Sequence, residues 1–421
     1  MSYLRFIIGF RRFLTFGLVL TFSSNFGQTF LIALFLPSFL TEFGLSHGRF
    51  GLLYSAATLA SAALLPFFGR LLDRTSLVRY SLAVVAGLGL SCLVTGLSQN
   101  AWWLFAGILG LRMTGQGLTS HVSLTSMARY FERFRGKALA VANTGFPLGE
   151  ALLPFLITVL IHSAGWRLSW LLIAGFIALA VMPAIWWLLA SRPYEFEEPP
   201  DDDKPAKPAL RLEISAPNRL FRDGRFYRLL PGMIVLPFVL TGVFLFQLEL
   251  ADARGWSAAV MALGVTGFAV GRVVSSVVSG PLVDRFGALR LYPYFPVPLI
   301  LSVAGFIWIP AAWAPLLCFA LAGISQGVGG TVKAALWAEI YGVRHLGAIR
   351  SLVSSLMILG TAASPVLFGR ALDMGVPIAG VLFATLLLVG ATVFINWWIA
   401  ADVLRKAEAH PVVAQSCAGG G

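Results

Sequence analysis

The chain alternates long apolar runs with short polar breaks. A helix that crosses a bilayer needs about 20 apolar residues. Twelve runs approach or exceed that length, at approximately 13–37 (α1), 48–68 (α2), 77–98 (α3), 102–127 (α4), 138–160 (α5), 165–190 (α6), 229–250 (α7), 257–279 (α8), 288–309 (α9), 313–340 (α10), 348–367 (α11) and 374–400 (α12). Strands of a membrane β-barrel are only about 10 residues long and alternate in polarity, and these runs do neither. The pattern predicts an all-α membrane protein with twelve transmembrane helices. The run at 13–37 is too long for the apolar core of a secretory signal, and no small-residue cleavage site follows it, so it is read as a retained first helix.

One long hydrophilic stretch, Ser191 to Phe226, interrupts the series. It carries Pro193, Pro199, Pro200, Pro205 and Pro208, an acidic run through Asp203, and then a basic segment. That composition reads as a tether rather than a folded unit. Its last part, Arg219 to Arg228, reads either as a segment lying on the membrane surface or as a plain charged tether. It divides the helices six and six. The expected organisation is a six-helix bundle over 1–190, a cytoplasmic linker over 191–227, a second six-helix bundle over 228–405 and a disordered cytoplasmic tail over 406–421. The halves also repeat. Gly69-Arg70-Leu71-Leu72-Asp73-Arg74 and Gly280-Pro281-Leu282-Val283-Asp284-Arg285 lie 211 residues apart, and the same offset relates Gly136 to Gly347 and Pro154 to Pro365. Several landmarks at one offset predict two pseudo-symmetric bundles.

Composition agrees. Hydrophobic residues make up 58% of the chain and charged residues 12%, with a mean hydropathy of +0.82. A soluble domain carries about 25% charged residues. The net charge of +12 would by itself admit a nucleic-acid partner, but its placement excludes one. With the N-terminus inside, most of the 31 Lys and Arg fall in or beside cytoplasmic segments. Arg49, Arg167, Arg254 and Arg370 fall outside, and Arg112, Arg272 and Lys333 lie within helices. This is the positive-inside asymmetry, and an even number of spans puts both termini in the cytoplasm. The expected location is the inner (plasma) membrane, with the lipid bilayer and a small molecule as partners and a monomer as the working unit. Cys92, Cys318 and Cys417 offer neither a disulfide framework nor metal spacing. No phosphate-binding glycine–lysine loop, His/Cys cluster or Ser-His-Asp set is present, so no cofactor, metal or enzymatic reaction is expected.

Charges inside the bilayer cost a few kcal/mol each and mark function. The four here are Arg112, Glu150, Arg272 and Lys333. At about 100° per residue, Gln116, Thr119, Ser120, Ser123 and Ser126 share the Arg112 face of α4, which therefore avoids lipid. His121 falls on the opposite face and is expected to bond a neighbouring helix. Arg272 lies about two turns before Gly280, roughly 12 Å deep at 1.5 Å per residue, with Ser275, Ser276 and Ser279 on its face. Lys333 shares its face with Gln326, Gly329, Gly330 and Trp337. Glu150 either carries a proton or pairs with Arg112 and stays charged. Three cations and one acid in a low-dielectric cleft favour an anionic cargo. Asn25, Gln28, Gln116 and Gln247 add uncharged polar contacts, and Ser354 and Ser355 do so from α11.

The Gly-x-Leu-x-Asp-Arg loop after α2, echoed after α8, resembles the signature of the major facilitator superfamily, as does Arg112-Met113-Thr114-Gly115-Gln116-Gly117 in α4. The resemblance covers about residues 10 to 405. It implies a secondary active transporter that works by alternating access, as a symporter or antiporter. It places Gly69, Asp73, Arg74, Gly280, Asp284 and Arg285 at a cytoplasmic gate, where the arginines pair with the carboxylates across the seam. Gly271-Arg272 is similar to the corresponding part of monocarboxylate and oxalate–formate carriers, as are the segments from Arg129 to Ala138 and from Ile340 to Ala348. In those carriers the α8 arginine binds substrate carboxylate. The chain departs from them in α1, which has no acidic-glycine-tryptophan opening, and in α11, which has no mid-helix lysine. The expected cargo is a small organic anion, a mono- or dicarboxylate, bound by Arg272, Arg112, Lys333, Gln116, Gln247, Asn25 and Gln28, with Glu150 as the proton-coupling residue. The alternative within the superfamily is an exporter of lipophilic compounds, which calls for a large aromatic cavity with acidic residues. A sensor or membrane enzyme would need a soluble domain that the chain does not contain.

Overall fold

The computed structural model describes residues 3–131, 134–190, 224–341 and 346–409, and these are helical with no strand among them. Linker residues 191–223 and tail residues 410–421 lie outside the described part, as does Gly342. Eight helices are individually long and apolar enough to cross a membrane. One of them, 135–190, contains two crossings, because Gly165 turns the chain with a positive φ of 76° between α5 (135–164) and α6 (166–190). A ninth is the bent pair Arg11–Gly27 and Thr29–Phe43, which together form α1. The last two crossings are α4 and α9. The first is assembled from Ala101–Gly110, Leu111–Thr119 and Ser120–Tyr130. The second is assembled from Ala288–Leu291 and Val297–Trp308. The twelve runs are therefore twelve crossings in two six-helix halves.

The departures from the expected boundaries have local causes. α9 was expected to be continuous from 288. Pro293, Pro296 and Pro298 withdraw backbone donors there, and the chain turns before restarting at Val297. α1 breaks at Gln28, whose backbone is extended (φ −82°, ψ 152°). α7 breaks at Phe246 between Gly224–Leu245 and Gln247–Arg254. Residues Leu111–Thr119 form a wider π-helical turn, which changes the 100° step assumed for α4.

Without a hydrophobic drive between helices, packing in lipid relies on close backbone approach. In the second half, α8 (Ala258–Phe286) and α10 (Ala314–Tyr341) interlock. A Cβ on Gly271 would strike the Ala320 carbonyl, and one on Gly323 would strike the Phe268 carbonyl. Between halves, α2 (His47–Gly69) lies on α11 (Leu346–Asp373), and α5 lies on α8. A Cβ on Gly51 would run into the Pro365 carbonyl, so the α2–α11 seam closes backbone to backbone. Following the expected orientation, the end where α2 begins is called outer and the end at Asp73 inner.

The repeat is also visible at the lipid boundary. Trp186-Trp187 ends α6 and Trp397-Trp398 lies late in α12 (Ile378–Ala409), again 211 residues apart. Arg12 of α1 stacks on Trp187 at 4.9 Å and Arg228 of α7 on Trp398 at 5.7 Å, so each half joins its first helix to its last in the same way.

Candidate substrate cavity between the halves

The breaks in α1 and α7 and the glycine-spaced α8–α10 pair leave a cavity of about 330 Å³ between the halves. Its charged residues are Glu150, Arg272 and Lys333, and its amides are Gln28, Gln116 and Gln326. Phe30, Phe146, Phe244 and Phe268 form aromatic walls, and Thr241 and Thr361 add hydroxyls. Phe244 meets Phe268 edge-on at 5.0 Å and Phe30 at 6.2 Å.

The central contact joins the two halves. Arg272 Nη1 of α8 donates to Glu150 Oε1 of α5. Glu150 is 9% exposed and its second oxygen, Oε2, has no partner in the structure. The Arg272 guanidinium also lies 5.7 Å from the centre of the Phe146 ring. Beside this pair, Thr266 of α8 donates to the Ala151 carbonyl at 3.0 Å. The alternative that Glu150 pairs with Arg112 is therefore corrected: its partner is Arg272. The α5–α8 crossing brings these two together, and neither helix reports its partner in its own sequence.

Lys333 reaches the cavity from α10, with Nζ 5.5 Å from the Phe295 ring, and forms no ion pair among the described residues. Gln28 is aimed inward by the extended backbone at the α1 break. Gln116 and Ser120 are the members of the α4 polar face that reach the cavity, and Ser120 also shares a hydrogen bond with Ser24 at 2.9 Å. Ser123 instead donates to the Gly17 carbonyl at 2.7 Å, and Thr119 bonds back to Gly115.

Three expected binding residues do not line the cavity. Arg112 is 3% exposed, donates to the Gly27 carbonyl at 3.3 Å and stacks 5.2 Å over Tyr54. It ties α4 to α1 and α2 behind the cavity wall. Asn25 sits in the notch left by Gly149 and donates to the Phe22 carbonyl at 2.9 Å. Gln247 is fully buried and donates to the Phe30 carbonyl at 3.0 Å, linking the breaks of α7 and α1. Ser354 and Ser355 are exposed positions of α11 outside the cavity lining. His121 lies outside the cavity lining and packs against Gly69 of α2, but its ring bonds Thr125 of its own helix at 3.4 Å, where a bond to a neighbouring helix was expected.

At the inner end, Asp73 accepts from Arg129 of its own half at 2.8 Å rather than across the seam. Gly69 is the close-approach position against His121, whereas nothing crowds Gly280. Arg285 stacks on Phe286 at 5.1 Å, and Arg74 and Asp284 are exposed.

The aromatic walls escaped sequence reasoning, because with 33 phenylalanines in the chain no single one stands out. A usable signal did exist in α7. Pro237, Leu240, Thr241 and Phe244 follow i, i+3, i+4, i+7 and all face the cavity.

A family model described as Major Facilitator Superfamily matches residues 17–250, more than half of the chain. The chain is 33% identical over 156 residues to a gallate transporter of Pseudomonas putida, covering 36% of this chain and 34% of that protein. It is 26% identical over 365 residues to a 3-(3-hydroxy-phenyl)propionate transporter of Escherichia coli, covering 84% of this chain and 86% of the relative. The match thus spans about a third of the first relative and most of the second. Among solved structures, a bacterial homologue of the human lysosomal transporter Spinster superimposes with a TM-score of 0.70 at 17% identity, covering 94% of this chain and 98% of the other.

Proposed function

This chain belongs to the Major Facilitator Superfamily, and we propose that it is a secondary transporter of small aromatic carboxylates that works by alternating access of its two halves. The observation that carries this reading is the Arg272–Glu150 pair, which joins the halves at an aromatic-walled cavity. A guanidinium fork matches the two oxygens of a carboxylate. The incoming anion competes with Glu150 for that fork. A proton on Glu150 removes the competing charge, so the same carboxyl supplies a route for proton coupling. Lys333 adds a second cation, and the Phe30, Phe244 and Phe268 rings accept the flat apolar body of the cargo. Gln28, Gln116 and Gln326 offer partners for ring hydroxyls. A volume of about 330 Å³ suits one such acid.

The relatives named for gallate and hydroxyphenylpropionate support an aromatic cargo over the short aliphatic acids suggested by the monocarboxylate and oxalate–formate resemblance. The aromatic walls are one property expected of a lipophilic-compound exporter. The excess of cations over acid and the modest volume favour the anion. The membrane expected to hold the chain is the inner membrane, with the tether and both ends on its cytoplasmic side.

The test is uptake into proteoliposomes with an inside-alkaline gradient. Aromatic monocarboxylates such as gallate, aliphatic mono- and dicarboxylates, and lipophilic cations are offered in parallel. Accumulation of aromatic acids, blocked by collapsing the gradient, is the expected result. Transport confined to lipophilic cations overturns the reading.

A further inference from the structure

At the outer end, far from the Arg272–Glu150 pair, three helices meet on one imidazole. His47 is the first residue of α2. Its Nε2 lies 2.7 Å from Glu249 Oε1 on α7, and its Nδ1 lies 3.8 Å from Asp373 Oδ1 at the end of α11. Asp373 is held in turn by α2, through Ser46 Oγ at 2.7 Å and the Gly48 N–H at 2.9 Å. A Cβ on Gly48 would displace this carboxylate, and one on Gly369 would strike the His47 carbonyl. About two turns further in, Ser55 Oγ donates to the Ala362 carbonyl across the same seam. His47 belongs to the first half, and both of its carboxylates belong to the second.

We infer that His47 is a proton-binding site that locks the outer end of the molecule: the imidazolium bridges Glu249 and Asp373 when the end is shut, and loss of its proton favours opening. A neutral imidazole has one N–H and one lone pair. In the closed arrangement both ring nitrogens face carboxylates, so the neutral ring presents a lone pair to one of them. Only the imidazolium suits both: it hydrogen-bonds Glu249 through Nε2 and turns its Nδ1–H and positive charge toward Asp373 at 3.8 Å. When α2 separates from α7 and α11, both carboxylates depart and water replaces them. The closed state therefore holds the proton more tightly than the open one, and by linkage acid outside favours closure. The remaining charged groups of these elements do not supply a second anion clamp. Arg49 of α2 is exposed, Arg370 packs its stem beside Gly48, and Arg254 turns to the Ile307 carbonyl. Asp252 on α7 is exposed, and Glu42 at the end of α1 is bound by Arg167 at 2.8 Å.

The three groups of the lock are each about one-third exposed, so its strength is that of a partly solvated pair. The expected effect is a roughly two- to fivefold change in the closed-to-open ratio when the outside pH is lowered from about 8 to about 5.5. The lock rests on alternating access but not on any cargo, so it can fail while the anion reading stands, and the reverse.

The test uses the full chain in lipid nanodiscs without cargo. Spin labels are placed at Gln99→Cys and Met374→Cys, both exposed outer positions, with Cys417→Ser and the buried Cys92 and Cys318 left in place. Pulsed dipolar spectroscopy at the two pH values should show the shorter outer distance gaining population in acid. His47→Gln should remove that response. His47→Lys, a permanent cation, should keep the short distance at both pH values and decides the matter if His47→Gln does not fold. Retention of the full wild-type response in His47→Gln, an acid-sensitive His47→Lys, or a wild-type distribution that ignores pH overturns the proposal.

Discussion

The outer and inner ends of this molecule are built from the same repeat but joined by different means. At the outer end the halves bond to each other: Ser46, His47 and Gly48 of the first half meet Glu249 and Asp373 of the second, and Gly51 lies against the Pro365 backbone. At the inner end, two polar contacts among the described residues stay within a half. Arg129 holds Asp73 in the first. In the second, the carboxylate of Glu339 accepts from the Ala288 N–H at 2.6 Å. Cross-half bonds among the described residues run from the outer rim down to Arg272–Glu150 and stop there. Among the described residues, the bonds shared by the halves therefore concentrate on the outer side of the cavity.

That asymmetry is broken most severely at its lowest fastening. Arg272→Ala leaves Glu150 as an unpaired carboxylate in a site that is 9% exposed, which costs at most about 3–5 kcal/mol. Arg272→Lys keeps the charge but loses the fork. Each hydrogen bond to a charged group is worth about 1.5–3 kcal/mol, so aromatic-acid affinity should fall roughly ten- to hundredfold. Calorimetry on purified protein with the transported acid measures this, and unchanged affinity removes Arg272 from the site. If the pair also carries coupling, Glu150→Gln should retain exchange of substrate but lose gradient-driven accumulation. Loss of both activities together would make Glu150 structural. A double variant that neutralises both residues should then be better folded than Arg272→Ala alone.

A smaller effect is expected from the outer seam. Gly51→Leu forces α2 from α11 against the Pro365 carbonyl, and overpacking of this kind costs about 1–3 kcal/mol. Here the cost falls on the outer-closed state alone. The distance between labels at Gln99 and Met374 should lengthen and net uptake should fall, while substrate binding from the outer side persists. Normal uptake with a short outer distance would show that the seam tolerates separation.

The chain's own pattern made the crossings and the repeat legible because each depends on residues near one another or on a fixed offset. The α2 loop and its copy at Gly280 are of this kind. So are the intramembrane charges, since a charge among twenty apolar residues is visible without a structure. What was not legible depends on partners. Glu150 could be matched with Arg112 or with Arg272 until the α5–α8 crossing was known. Arg112 left the cavity because its guanidinium is taken up by the Gly27 carbonyl and the Tyr54 ring, partners on α1 and α2 that its own helix does not announce. Gly48 and Gly51 look like ordinary small residues until α11 is laid against them. His47 lies 202 positions from Glu249 and joins three helices, so no window of sequence contains its site.

The smallest effect belongs to the inner end, and it is the sharpest check on the comparison. The family resemblance makes Asp73 a gate residue that pairs across the seam, and removal of such a bond should change the balance between inward- and outward-open states. The structure gives it a partner in its own half instead, and both side chains are largely exposed, at 47% for Arg129 and 61% for Asp73. Exposed pairs contribute roughly 0.2–1 kcal/mol, so Asp73→Asn should slow uptake by about two- to fivefold with the protein still inserted. The loss should shrink at high salt in the wild type, where screening already weakens the pair. Asp284→Asn should do less, because Asp284 is exposed and forms no ion pair among the described residues. Arg129→Gln separates the two explanations. If the bond serves the first half alone, Arg129→Gln and Asp73→Asn should match in size and their combination should add nothing. An Asp73→Asn defect of a hundredfold, with Arg129→Gln near wild type, would place the working partner of Asp73 in the other half. The inner end would then be fastened across the seam in a second conformation, much as the outer end is fastened in this one.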